Sequence, residues 1–230
     1  ISKKIARIRS QEFLEGKWSK LYSKSNIPID VIISPEREVA KSLFRKLEAP
    51  GALDNVPFVK DKVKLLEILI ENKCPIANIP LKDLTKKFPE FKAYIFGAVR
   101  KESFVFFKKD DKMQAGDKVY LVVSTDQINK LLSVFGHDEK VAEKILIIGG
   151  GNVGLHLAKL LETTEGLRTK IIEKNKVRAE QIAGELSSSI VICGDPLDEK
   201  ILKEANIEEA ETVFALTEDD EDNIMACVLA

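Results

Sequence analysis

The chain has 230 residues, of which 44% are hydrophobic and 32% charged, and its formal net charge is −1. This composition suits one or two buried cores, excludes a disordered chain, and gives no global pull toward nucleic acid or anionic lipid. No run of about 18 apolar residues is present to span a membrane. Cys74, Cys193 and Cys227 lack C-x-x-C spacing and fit reduced cytoplasmic thiols better than a disulfide frame or a zinc site.

Lys3 to Tyr22 has helical spacing, with Ile5, Ile8, Leu14, Trp18 and Leu21 on apolar stripes and Lys3, Lys4, Arg7 and Arg9 on a solvated face. Ile29 to Ile33 reads as a short strand closed by Ser34-Pro35. Glu36 to Leu47 then reads as a helix, ended by Pro50-Gly51. One strand between two helices is too little for a sheet domain, so residues 1–50 read as the tail of a preceding α/β unit.

Residues 51–137 read as a compact second unit. Val63 to Ile70 is strand-like, Leu81 to Lys87 a short helix, and Ala93 to Val99 with Ser103 to Phe107 a hairpin. Val119 to Val123 follows the turn at Gly116-Asp117, and Asp126 to Phe135 closes with a helix. Phe88, Phe91, Phe96, Phe104, Phe106 and Phe107 read as core and interface rings, because the neighbouring lysines are balanced by acids and make a poor platform for bases. Arg100 and Lys101 read as exposed charges, with an anion contact as the alternative. His137 and His156 have no Ser, Cys or metal-ligand partner nearby in sequence and read as solvent-facing.

Residues 138–230 carry the strongest signal. Ile145 to Ile148 reads as a strand buried on both faces, and Gly149, Gly151 and Gly154 give G-x-G-x-x-G spacing at its carboxyl end. Val153, Leu157, Leu160 and Leu161 then mark one face of a helix. In such a loop the first glycine serves the tight turn, the second lets backbone approach a pyrophosphate, and the third lets helix pack on strand. The helix amino terminus offers N–H groups and a positive dipole end to the phosphates.

A glycine-rich turn could merely join a strand to a helix, so the context decides. Thr169 to Glu173 is a second strand ending in an acid about 20 residues after the last glycine, where such folds place the carboxylate that binds a ribose diol. An acid there favours NAD over NADP. Ser189 to Cys193 runs into Gly194-Asp195, and Thr212 to Leu216 runs into Thr217, so Asp195 and Thr217 are expected to border the same crevice. Asp195 as a turn residue, and Thr217 as N-cap of a helix over Glu218 to Leu229, remain the alternatives. The chain opens on Ile1, stops inside an apolar helix, and shows four strands where a doubly wound sheet often has about six. The expectation is a fragment of a longer protein.

The order IDVIISPEREVA, APGALD, VRKESF, AGDKVYLVV, ILIIGGGNVGLHLAKLLE, IIEKN, GDPLDEKIL and FALTEDDEDNIMACVLA closely resembles the Trk-type potassium uptake regulators. That family is built from tandem RCK (KTN) nucleotide-binding domains, each followed by a small TrkA-C domain. The resemblance implies an α/β fold. Residues 1–50 would end a first RCK unit, 51–137 would be a TrkA-C domain, and 138–230 a second, truncated RCK unit with a Rossmann-like parallel sheet. It also implies a cytoplasmic, non-enzymatic regulatory subunit that binds NAD(H) or the adenine nucleotides ATP and ADP. Such a subunit forms homo-oligomers, with dimers building a tetrameric or larger ring, and gates a membrane potassium channel or transporter of the Trk/Ktr type, with no nucleic acid. Carried over, Gly149, Gly151, Asn152, Val153 and Gly154 would form the phosphate loop, Glu173 would hold the adenosine ribose, and Asp195 would lie by the adenine and ribose. Thr217 and the acidic turn after it would lie on the phosphate or nicotinamide side. Pro196-Leu197 departs from the family's Ala-Thr. An NAD-dependent oxidoreductase and a divalent-cation sensor built on Glu218 to Asp222 are the competing readings.

Overall fold

The computed structural model describes residues 3–8, 13, 22, 26–89, 92–138 and 141–230. Two compact units are present, one formed by residues 1–44 with 142–230 and the other by residues 45–141. Among the described residues, no helix is long and apolar enough to cross a membrane.

The first unit begins with β1 (Ile5–Arg7) paired in parallel with β2 (Val31–Ile33). The helix expected from Lys3 is therefore a strand at its start. Ile8 N–H donates to Ile33 O at 2.9 Å and Asp30 N–H to Lys4 O at 2.9 Å. An isolated helical turn is costly to nucleate, whereas pairing with a neighbouring strand satisfies these backbone groups at once. Arg9, Leu14, Trp18 and Leu21 lie outside the described residues. Helix α1 (Pro35–Glu48) starts on a proline, carries Glu36 and Glu38 in its first turn and ends with Arg45 and Lys46, all matched to the helix dipole.

In the second unit, five antiparallel strands lie in the order β3 (Ala52–Phe58), β4 (Val63–Leu69), β7 (Lys118–Ser124), β5 (Ala93–Arg100), β6 (Ser103–Phe106). Leu66 pairs with Leu121 and Ile68 with Val119, so period-two alternation sends one buried row toward α2 (Leu81–Lys87) and α3 (Ile128–Phe135). Strand β3 has no forecast in the sequence. Its Asp54, Asn55 and Pro57 are poor strand formers, tolerated because β3 is an edge. Arg100 is not a free surface charge: its Nε and Nη2 grip the buried Asp117 carboxylate at 2.7 and 2.6 Å. Phe88 and Phe107 join the core, whereas Phe104 touches Phe96, Tyr120 and the exposed Phe106 on the other face. Phe91 lies outside the described residues.

Returning to the first unit, β8 (Lys144–Ile148), β9 (Arg168–Glu173), β10 (Ile190–Cys193) and β11 (Thr212–Ala215) form a parallel sheet in the order β10-β9-β8-β11. Helices α4 (Asn152–Leu161), α5 (Lys176–Glu185) and α6 (Glu199–Glu204) connect these strands, and α7 (Asp220–Leu229) follows the last. Leu146, Ile148, Ile172 and Ile192 pack with Leu202, Ala205 and Ala226 on one face. Ile145 and Ile147 point to the other, so β8 is buried on both faces, as its unbroken apolar run predicts. Each such side chain contributes about 1.5–3 kcal/mol on burial. His156 corrects the solvent-facing expectation: it is 8% exposed, within a stretch from Gly154 to Ala158 that is buried throughout.

Glu162 ties the end of α4 to the segment entering β10. Its carboxylate accepts N–H groups from Ser187 at 3.0 Å and from Ser188 and Ser189 at 2.8 Å. Burial alone would raise its pKa, but the donors from Ser188, Ser189 and Ser187 outweigh it and hold the value at about 2, below the ordinary 4.5. A depressed folded pKa stabilises the fold above pH 4.5, and that stabilisation disappears as pH falls toward 2. Glu162→Gln should therefore cost about 1–2 kcal/mol at neutral pH, solvent screening included, and much less near pH 2.5. Urea unfolding at the two pH values checks this, and an equal cost at both would contradict it.

Candidate functional site

At the carboxyl ends of the parallel strands, the chain leaves β8 toward β9 on one side and returns to β11 on the other. This switch point is where open α/β sheets leave a crevice. A cavity of about 550 Å³ occupies it, lined by Gly149, Gly151, Asn152, Glu173, Arg178 and Thr217 among others.

The three motif glycines occupy three different environments. Gly149 has φ +107°, and a Cβ there would lie 2.8 Å from the Leu216 backbone, so only glycine fits the turn beside the end of β11. A Cβ on Gly154 would lie 2.1 Å from Gly149 O, which lets α4 pack directly on the loop. Gly151 has open space on its Cβ side. Leu155 N–H donates to Gly151 O at 3.0 Å, and the amides of Asn152, Val153 and Gly154 precede it in the first turn of α4.

Glu173, at the end of β9, is bonded to the loop itself. Its Oε2 accepts Gly150 N–H at 2.8 Å and its Oε1 accepts Asn175 N–H at 2.8 Å. Arg178 holds the other side of the same glycine: its Nε donates to Gly150 O at 2.8 Å, and Nη2 lies 3.4 Å from Asn152 Oδ1. Sequence reading passed over Arg178. A cation in the first turn of a helix opposes the dipole, and that mismatch is the signal that could have revealed a tertiary role.

Thr217 faces the cavity from the end of β11 and is not the helix cap. Asp219 caps α7 by accepting Asp222 N–H at 2.9 Å. The Thr217 backbone instead locks to Asn223, which accepts its N–H at 2.9 Å and donates to its carbonyl at 3.1 Å. Asp195 is exposed, and its Oδ1 accepts Leu197 N–H at 2.9 Å in a local turn, while Pro196 beside it lines the cavity. Charges divide across the mouth, with Lys174 and Arg178 toward α5 and Asp219 and Asp222 toward α7. Lys174 and Asp222 approach to 3.8 Å. At their exposure this pair contributes little to stability.

A family model described as the TrkA-N domain matches residues 145–230, and one described as the TrkA-C domain matches residues 65–136. Trk system potassium uptake protein TrkA of Azorhizobium caulinodans is 42% identical over 228 residues, covering 99% of this chain and 50% of the relative. The protein of the same name from Vibrio alginolyticus is 35% identical over 227 residues, covering 99% and 49%. The chain thus spans about half the length of the curated relatives it matches. Among solved structures, the GsuK channel aligns with a TM-score of 0.60 at 17% identity, and the GsuK channel bound to NAD with 0.59 at 16%. Each alignment covers 99% of this chain and 38% of that one. These likenesses give the fold, and the RCK architecture agrees with the parallel sheet and crevice described above. Residues 65–136 and 145–230 thus match the TrkA-C and TrkA-N domain models, in a chain similar along its length to the Trk system potassium uptake protein TrkA.

Proposed function

We propose that the crevice binds NAD(H) or an adenine nucleotide, and that the chain is the nucleotide-sensing part of a potassium-uptake regulator. The carrying observation is the loop from Gly149 to Gly154: open at Gly151, with the first amides of α4 behind it and Glu173 bonded to its middle. On this reading a pyrophosphate lies on the amides of Asn152 and Val153. Each Glu173 oxygen accepts one N–H in the structure and keeps a second lone pair for a ribose hydroxyl. Thr217 borders the nicotinamide or outer phosphate side and Asp195 the adenine side.

The relatives are potassium uptake proteins, which supports that setting, and a channel of similar fold, GsuK, has been solved bound to NAD. In that setting the chain works in the cytoplasm, at the inner membrane face, through a membrane potassium channel or transporter of the Trk/Ktr type. It assembles as a homo-oligomer, with dimers building a ring, and residues 1–50, 51–137 and 138–230 act as parts of successive RCK and TrkA-C domains. The nucleotide acts as a signal and is not consumed. A ligand biases such a ring only through unequal affinity for two shapes, about 1–3 kcal/mol on the usual scale of allosteric coupling. The acidic turn is a weak cation sensor by comparison, because Asp219 caps α7 and Asp222 faces Lys174.

Three outcomes test this reading. Gly151→Val should weaken NADH binding by about a hundredfold or more in calorimetry while the fold persists, because the side chain points into space the pyrophosphate needs. Unchanged affinity would remove the ligand from the loop. Arg178→Gln should weaken binding of ADP more than of adenosine, since it deletes charge near the loop; an equal loss for both would make Arg178 a packing residue. With the full-length regulator and its channel partner, added nucleotide should change potassium flux without nucleotide turnover. Steady NADH oxidation with no effect on flux would favour the oxidoreductase.

A further inference from the structure

We propose that the opposite, amino-terminal edge of the parallel sheet holds a second ligand site, for a small organic anion with an apolar body. A cavity of about 160 Å³ opens there between the first residues of β8 and β9 and the turn after α6. Leu146, Ala205 and Ala210 give it an apolar floor, and Lys144, Arg168 and Lys170 give it cations. An apolar cavity of about 150 Å³ admits a benzene ring, so the floor has room for an aryl group or a short chain.

The register explains why the charges converge. Lys144 pairs with Arg168 and Leu146 with Lys170, which puts all four side chains on one face of the sheet. Farther along that face the positions are apolar and buried: Ile148, Ile172 and Ile192. Lys170 is thus a half-buried charge at the solvent end of a core-facing row, placed to meet an anion beside apolar surface. Among the described residues, only Lys144 of the three forms an ion pair, with Glu209 at 2.9 Å. The Glu209 carboxyl is held below its usual range by Lys144 first, with Lys170 and Arg168 adding to the effect, so the field of all three cations reaches the cavity mouth. The half-buried Lys170 and the exposed Arg168 form no ion pair among the described residues and stand beside an apolar floor, with the Glu209 carboxylate also in the lining. A phosphate or carboxylate head on an apolar body answers both features, and the site is independent of the nucleotide crevice at the other ends of the same strands.

Phenyl phosphate is a suitable probe, with inorganic phosphate as its headgroup control. Calorimetry on the whole chain should show saturable phenyl phosphate binding that exceeds inorganic phosphate binding, and Lys170→Met should weaken it by about tenfold or more, as loss of a charge-assisted hydrogen bond predicts. The methionine keeps the apolar stem of the lysine, and unchanged NADH affinity in this variant would report an intact fold. Gly151→Val should leave phenyl phosphate binding unaltered, which separates this site from the nucleotide site even if no nucleotide binds the crevice. Equal affinity in wild type and Lys170→Met, equal affinity for the two phosphates, or loss of binding in Gly151→Val would each overturn the proposal.

Discussion

The arrangement at the crevice depends on the contact between Gly154 and Gly149, where any side chain would fall within 2.1 Å of a carbonyl oxygen. That contact lays α4 directly on the loop and aims its first-turn amides along the carboxyl end of β8. The same loop is walled on its other side by Leu216, 2.8 Å from where a Gly149 Cβ would stand, so the exit of β11 is fixed against it. Gly150 is then gripped at both polar ends of its residue, its N–H by Glu173 and its carbonyl by Arg178. Three strand ends and two helices therefore meet at this loop, through the close backbone approach and through the side chains of Glu173 and Arg178. The crevice is preorganised by these contacts, which lowers the ordering cost of binding.

Charge at the crevice is unevenly distributed. Lys174 and Arg178 stand with Glu173 on the α5 side and Asp219 and Asp222 on the α7 side, with Thr217 and Asn223 locking the turn between β11 and α7. Glu173, Arg178 and Asn223 hold backbone there, and Asp219 caps α7.

Much of this was legible in the sequence where local pattern and tertiary demand agree. The run Ile145 to Ile148 reads as a strand buried on both faces, and each glycine after it has its own reason in the motif. Glu173 was identified from its distance along the chain, although not its bonds to Gly150 and Asn175. Elements held by neighbours were not legible. Strand β1 reads as a helix until β2 is beside it, and β3 hides behind Asp54, Asn55 and Pro57, which an edge tolerates. Arg100 looked like a surface charge because Asp117 is distant in sequence, and His156 looked solvent-facing although its stretch of α4 is buried. Arg178 stayed hidden because its target is a backbone carbonyl 28 residues away.

A crystal structure of the chain grown with NADH tests the central claim most directly. The account predicts the pyrophosphate within hydrogen-bond distance of the Asn152 and Val153 amides, and the adenosine ribose on Glu173. Dinucleotide density elsewhere on the molecule, with the loop from Gly149 to Gly154 in contact only with solvent, would contradict it.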